Sequence, residues 1–481
     1  MITRIARKEF VEMTRDGRFR WSAAIVFCLL IASLAIGWKH YREVKSDRDA
    51  AQSQAYEQWL NQGRRNPHSA AHYGMYAFKP MLPLALVDRG VEAYTGAAVF
   101  LEAHKQNEFR LRPAKDTAGV ARFGELTAAM LLQLIVPLLV ILLAFGAFAG
   151  EREVGTLRQL LSLGVSRRAL GAGKALGVAG ALGLLIVPAA VIGAAALALS
   201  TSGGGGGGSG ALMAGFGRAA LVALAYLVYF TVALLVSMAV SARLRSSRVA
   251  LLALLAFWIA SGMVAPRAAS DLAKRLHPTP STISFAREME KEILQGEQGR
   301  NEKLKQRVLA EHGVSRAEDL PFNFEGLSLQ DSEERGDEVI DRYYNALDGA
   351  FAAQTRVQEL AALVSPYQAV RLLSMGLAGT DPAQQRDFAR AGEAYRRMMV
   401  KKMNEAVRSN EGELDPNYFG TQTLSRKRGR EMWQTIPPFT YDTPGAAWVL
   451  KNHRRSALLL LAWVAVATLA AWRAITRLRV D

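Results

Sequence analysis

Glu151, Glu153, Arg167, Arg168 and Lys174 bracket a run of aliphatic side chains, Val154, Leu157, Leu160 and Leu161, in the stretch GEREVGTLRQLLSLGVSRRALGAGKA at 150–175. Side chains of these types do not make or break bonds. Together they build a docking surface, apolar along one face and charged at the rim. Val154, Leu157 and Leu161 recur at i, i+3 and i+7, which is one face of a short amphipathic helix. Gly164 is placed to end that helix in a left-handed conformation. Ser166 is placed to cap the next helix, which opens with Arg167 and Arg168.

Other candidate chemistry is thinner. His68 and His72 are spaced i, i+4, and His104 lies in the same segment. Three imidazoles can hold a metal, but no cysteine and no HExxH motif accompanies them, so no metal is assigned and ordinary helix histidines are the expectation. Gly203–Gly208 is an unbroken glycine run. A phosphate-binding loop needs a lysine and a preceding strand, and this run has neither, so it reads as a flexible linker. No P-loop motif and no GxSxG occurs. The chain is therefore expected to carry no catalytic residues and no cofactor of its own.

The docking stretch sits between long apolar runs. Six are long enough to cross a bilayer: Ser22–Gly37, Ala128–Ala149, Ala175–Leu199, Ala219–Val240, Val249–Ala265 and Ser456–Trp472. Pro137 is expected to kink the second and Pro188 lies in the third. None of the runs contains Asp, Glu, Lys or His, which argues against proton or ion coupling within them. Basic residues fill the segments before the first run, between the second and third, between the fourth and fifth, and after the sixth. Ser200–Gly210 has none. The positive-inside rule then puts both termini in the cytoplasm of a multi-pass protein of the bacterial inner membrane.

The domain plan follows. Residues 1–20 form a cytoplasmic interfacial helix with Ile2, Ala6, Phe10 and Met13 on its apolar stripe, ending near Gly17. Residues 21–38 are the first transmembrane helix. Residues 39–127 form a first extracytoplasmic segment, and 128–265 hold transmembrane helices two to five with the loop 150–175. Residues 266–455, starting at Pro266, form a large extracytoplasmic (periplasmic) domain. Residues 456–481 are the sixth helix and a cytoplasmic tail. Charged stretches such as Phe285–Ala310 favour helix, with irregular breaks at Pro321–Gly326 and Asp415–Gly420. The fold class is all-α: six transmembrane helices with a mostly α-helical extracytoplasmic domain.

The chain has 481 residues, half of them hydrophobic, and a formal net charge of +16. That basic excess is accounted for by the membrane flanks and an arginine-rich polar domain, and nucleic acid is not an expected partner. Cys28 is the single cysteine, so no intrachain disulfide braces the polar segments.

The pattern E-R-E-x-G-T-L-x-x-L-L-x(4)-S-R-R-x-L-x-x-G-K resembles the first cytoplasmic loop of type-2 ATP-binding-cassette (ABC) exporter permeases, with Gly164 where that family often has proline. The leader I-A-R-K-E-F-x-E-x-x-R-D-x-R looks like its amphipathic lead-in helix. The stretches Ser365–Asp381 and Asn66–Pro80 look like signatures of permeases with large extracytoplasmic insertions of uncharacterised domain name. The resemblance implies a coupling helix that docks on a separate ATPase dimer, which would bind ATP and Mg, and a second permease, identical or homologous. It carries the coupling role onto Glu151, Glu153, Val154, Gly155, Thr156, Leu157, Leu160, Leu161, Ser166, Arg167, Arg168 and Lys174. Two other readings stay open. One is a mechanotransmission subunit whose polar domains act on an envelope protein. The other is a membrane-anchored receptor or enzyme.

Overall fold

The computed structural model describes residues 1–112, 126–202, 209–297, 299–414 and 424–478. The glycine run Gly203–Gly208, the stretch Asp415–Gly420 and Arg479 lie outside the described residues. Among the described residues, six helices are long and apolar enough to cross a membrane: Gly17–Leu60, Ala128–Glu153, Arg167–Ser200, Met213–Arg243, Ser247–Leu276 and Arg454–Thr476. These are the first to sixth spans below. Each contains one apolar run of the sequence and extends beyond it. The first shows why this matters. Its 44 residues reach about 66 Å at ~1.5 Å each, about twice a ~30 Å hydrocarbon core. The second half of this helix therefore leaves the apolar layer and carries Tyr41, Trp59 and Leu60 into buried positions elsewhere.

Two prolines interrupt helices in the same way. Pro137 and Pro266 are each preceded by a π-helical turn, Leu131–Ile135 and Ala260–Val264. Proline lacks an N–H and its ring crowds the carbonyl one turn back, and the widened turn absorbs that crowding. The sequence reading starts the second polar segment at Pro266. The helix instead continues through it to Leu276.

The leader helix, Ile2–Arg15, ends at Asp16, next to Gly17. Asp16 is extended, and its carboxylate accepts the Arg18 N–H at 2.8 Å, which caps the first span. Gly17 is the first residue of that span. The leader packs across the third span on a glycine face. A Cβ added at Gly177 would lie 2.5 Å from the Glu9 Cβ, and one at Gly173 2.6 Å from the Ile5 Cβ. Small residues let the two backbones approach this closely. The face used is Ile5, Ala6, Glu9, Phe10 and Met13, while Ile2 is exposed. The expected stripe of Ile2, Ala6, Phe10 and Met13 is thus rotated, with Glu9 at its centre.

The two large polar segments fold together. β1 (Met75–Phe78), β2 (Ala98–Glu102) and β3 (Lys105–Gln106) form an antiparallel sheet in the order β1-β2-β3, with Met75 opposite Leu101 and Leu101 opposite Gln106. β4 (Glu413–Leu414) pairs with β5 (Arg426–Lys427). An all-α reading misses these strands because each is too short for its alternation to register. The rest is helical, as expected: Thr282–Glu297, Arg300–His312, Phe324–Leu360, Pro366–Ala378 and Pro382–Arg408. The irregular stretch begun at Pro321 ends at Asn323, whose side chain accepts the Glu325 N–H and caps the helix.

Indole hydrogen bonds close the seam between the segments. Trp59 donates to the Trp433 carbonyl and Trp433 to the Gly63 carbonyl, both at 3.0 Å, and both rings are fully buried. A buried polar chain ties this body to the spans. Gln133 donates to the Tyr226 hydroxyl at 2.9 Å, Tyr226 meets Ser374 at 3.0 Å, and Ser374 donates to Asp88. A buried hydroxyl or amide without a partner costs more than the bond itself yields, so such a chain fixes one register.

A candidate docking site at one end of the bundle

Residues 149–167 fold as two short helices, Ala149–Glu153 and Thr156–Ser162, hinged at Gly155 and closed at Gly164. Both glycines are left-handed, each with φ of 79°, where a side chain would be strained. The closing turn is a Schellman motif. The Val165 N–H bonds the Leu160 carbonyl at 3.3 Å and the Gly164 N–H the Leu161 carbonyl at 3.2 Å. Ser166 then caps the third span, its hydroxyl accepting the Ala169 N–H at 3.2 Å. The glycine stop and the serine cap stand where the sequence places them.

The apolar face does not stand where the sequence places it. Gly155 separates Val154 from the helix that bears Leu157 and Leu161, so the three do not form one stripe. Leu157 is 1% exposed and belongs to the core of the spans, and Leu160 and Leu161 pack half-buried against that core. Burying Leu157 contributes about 1.5–3 kcal/mol to this chain's own fold. The free apolar groups are Val154 at 74% and Leu163 at 80% exposure, one at each end of the short helix. Arg158, Gln159 and Arg167 are exposed beside them. The sequence reading gives Leu163 no role. Its signal was its place one residue before a helix-ending glycine, where an apolar side chain has no turn of its own to pack against.

The charged residues also divide. Lys174 is buried, and its ammonium donates to Glu9 and to Glu151, each at 2.7 Å. Glu9 and Glu151 are themselves nearly enclosed, and the second oxygen of Glu151 is buried without a hydrogen bond. Glu151 and Lys174 are thus internal struts, where a docking role needs rim charges. They join the leader helix, the loop and the third span at one point. Arg152 donates to the carbonyls of Ala242 and Leu244, the unpaired acceptors at the end of the fourth span. Glu153 accepts from the backbone N–H and hydroxyl of Ser247 at the start of the fifth span. Thr156 donates to the Glu151 carbonyl at 3.2 Å. Arg168 lies over the Trp472 ring, 4.4 Å from its centroid, near the end of the sixth span. The loop is therefore fastened to the leader and to four spans, and Val154 and Leu163 project from a braced platform.

A second cluster of chemistry-bearing residues lies in the polar body. His68, His72 and His104 come together with one ring nitrogen each within 4.8 Å of the others. The sequence reading sets these histidines aside as ordinary helix residues, yet only His68 and His72 share a helix, Pro67–Tyr73. His104 arrives from the turn between β2 and β3, with φ of 68°. Nothing local in the sequence announces that approach, since it depends on the pairing of β1 with β2.

Comparison with known proteins adds one match. A family described as "Domain of unknown function (DUF3526)" matches residues 283–442, most of the second polar segment. The match covers about a third of the chain and includes neither the docking loop nor the three histidines. No curated protein matches the sequence.

Proposed function

We propose that this chain is the transmembrane permease subunit of an ATP-driven ABC transporter, an exporter, that couples hydrolysis in a separate ATPase subunit to movement of substrate. The observation that carries the reading is the braced loop at 149–167. It ends two exposed aliphatic side chains on a short glycine-bounded helix, held rigidly by Lys174, Arg152 and Glu153. A push on such a platform reaches four spans and the leader without being lost in loop motion. With six spans, a second permease copy or homologue completes the pathway.

The variants that test this differ from those the sequence alone suggests. Val154→Asp and Leu163→Asp should leave insertion and thermal stability unchanged, because both positions face solvent. They should abolish co-purification of the ATPase subunit that accompanies the wild-type protein. Leu157→Asp should instead fail to fold, since it buries a charge in the chain's own core. A permease that carries both exposed-site substitutions and still retains its ATPase would sink the coupling assignment.

The reading also sets the topology, with the docking end and both termini cytoplasmic and the polar body outside. In a Cys28→Ser background, a cysteine at Ser409 should react with an impermeant thiol reagent in intact spheroplasts, and one at Ser162 only after lysis. Both positions are exposed, so the reverse labelling pattern would reject the orientation.

A mechanotransmission role has one specific observation in its favour. The chain Gln133–Tyr226–Ser374–Asp88 links the second and fourth spans directly to the polar body, so tilting of the spans would be felt by that body as a unit. The transport reading and this one share the docking loop and differ in what the polar body contacts.

A further inference from the structure

The three histidines of the polar body are arranged as a ligand set. The Nε2 atom of His68 lies 3.2 Å from that of His72 and 3.2 Å from that of His104. The far sides of two rings are committed. His68 Nδ1 meets the Asn404 side-chain oxygen at 3.0 Å, and the orientation of that amide is fixed because its nitrogen donates to Gln330 at 3.2 Å. His104 Nδ1 meets the Glu333 carboxylate at 2.7 Å. Both of these partners are acceptors, so both Nδ1 atoms carry the proton. Neutral rings of that tautomer present bare lone pairs at Nε2. When both rings are neutral, His68 and His104 aim two lone pairs at each other across 3.2 Å, with a third imidazole nitrogen beside them. A cation between them turns this repulsion into coordination.

We propose that His68, His72 and His104 bind one divalent transition-metal ion of the Zn²⁺ class through their Nε2 atoms. The spacing fits. Zinc–nitrogen bonds of ~2.0–2.1 Å in a tetrahedron put ligand nitrogens about 3.3 Å apart. The outer contacts fit as well, since metal-bound histidines donate the other ring N–H to a carboxylate or a neutral oxygen. Glu333 is itself held by Arg396 at 3.2 Å and accepts the His104 backbone N–H at 2.8 Å, so the carboxylate and the ring are positioned together. Imidazole ligands without thiolate suit Zn²⁺, Cu²⁺ and Ni²⁺ over Mg²⁺ or Ca²⁺. His68 is buried, while His72 and His104 are exposed. The ion would therefore have three protein ligands and an open face, the form of a site that exchanges a ligand.

The test uses the full chain in detergent, stripped with a chelator, dialysed, and titrated with Zn²⁺ against a chromophoric competitor. One Zn²⁺ should bind per chain and raise the unfolding temperature of the protein. Co²⁺ in its place should give the visible absorption of a tetrahedral nitrogen-ligated ion. His72→Gln/His104→Gln changes two exposed side chains. It should melt as the metal-free wild type does and lose both the stoichiometric Zn²⁺ and the Co²⁺ spectrum. Glu333→Gln should weaken Zn²⁺ about 10–100-fold. Zn²⁺ stoichiometry unchanged in the double variant, or no stoichiometric site in the wild type, would overturn the proposal.

Discussion

Lys174→Met should be among the most damaging substitutions in the membrane part, with an expected cost of about 3–5 kcal/mol of folding stability. The ammonium bridges two nearly enclosed carboxylates, Glu9 and Glu151, and the exposed Lys8 reaches only Glu9 of the two as an ion pair, at 3.6 Å. Methionine keeps the volume and removes the charge, so any loss reports on electrostatics and not on a cavity. Two carboxylates then lie close together with little access to water. The remedy distinguishes this account from a packing defect. Glu9→Gln/Glu151→Gln/Lys174→Met replaces the whole cluster with neutral side chains of similar size and should recover most of the stability, as buried ionic clusters often allow. Thermal unfolding of the detergent-solubilised proteins measures both. A single variant as stable as wild type, or a triple variant no better than the single one, would show that the cluster does not tie the leader to the loop.

That cluster marks the limit of what the sequence discloses. The six spans are legible because a bilayer forces every backbone group in it to be satisfied within a helix, and the cheapest signature of that is an apolar run. The stop at Gly164 and the cap at Ser166 are legible because both are local backbone demands. The pairing of Lys174 with Glu9 joins residues 165 positions apart, and nothing nearby in either stretch specifies the other. Its trace was present only as oddities: an acid on the apolar face of the leader, and a lysine in a glycine- and alanine-rich helix opening. The short helix Thr156–Ser162 divides in the same way. Its periodicity announces that one face is buried, but a period cannot say against what. Leu157 turned out to be buried in its own chain, and the free groups are Val154 and Leu163, which sit outside the periodic set. The histidines divide likewise. His68 and His72 are legible as a pair because a helix turn joins them. His104 needs the hairpin of β2 and β3 and the pairing of β2 with β1, and short strands are weakly signalled.

Arg396→Met should be as severe in the polar body as Lys174→Met is in the spans, and it has a pH signature. The Arg396 guanidinium is 1% exposed and faces three carboxylates, Glu333, Asp337 and Glu393. Removing it leaves these acids buried beside one another, with Arg397 the remaining cation in contact with Asp337 and Glu393. A loss of about 3–5 kcal/mol is expected at neutral pH. Burial already pushes the Asp337 carboxyl up to about 6 against the pull of Arg396 and Arg397. Without Arg396 the charged form is disfavoured further. An acid whose folded pKa lies above its unfolded value binds more protons in the folded state, so folding gains stability as the pH falls through that range. The deficit of the variant should therefore be largest at alkaline pH and shrink as the pH falls toward about 6, because Asp337 takes its proton at a higher pH in the variant than in the wild type. Denaturant titrations of wild type and Arg396→Met at alkaline, neutral and mildly acidic pH read the difference directly. A deficit that does not change with pH would assign the loss to packing around the arginine stem and not to stranded carboxylates. Arg396 also holds the Glu333 oxygen opposite the one that orients His104, so the same variant should loosen that ring in whatever fraction stays folded.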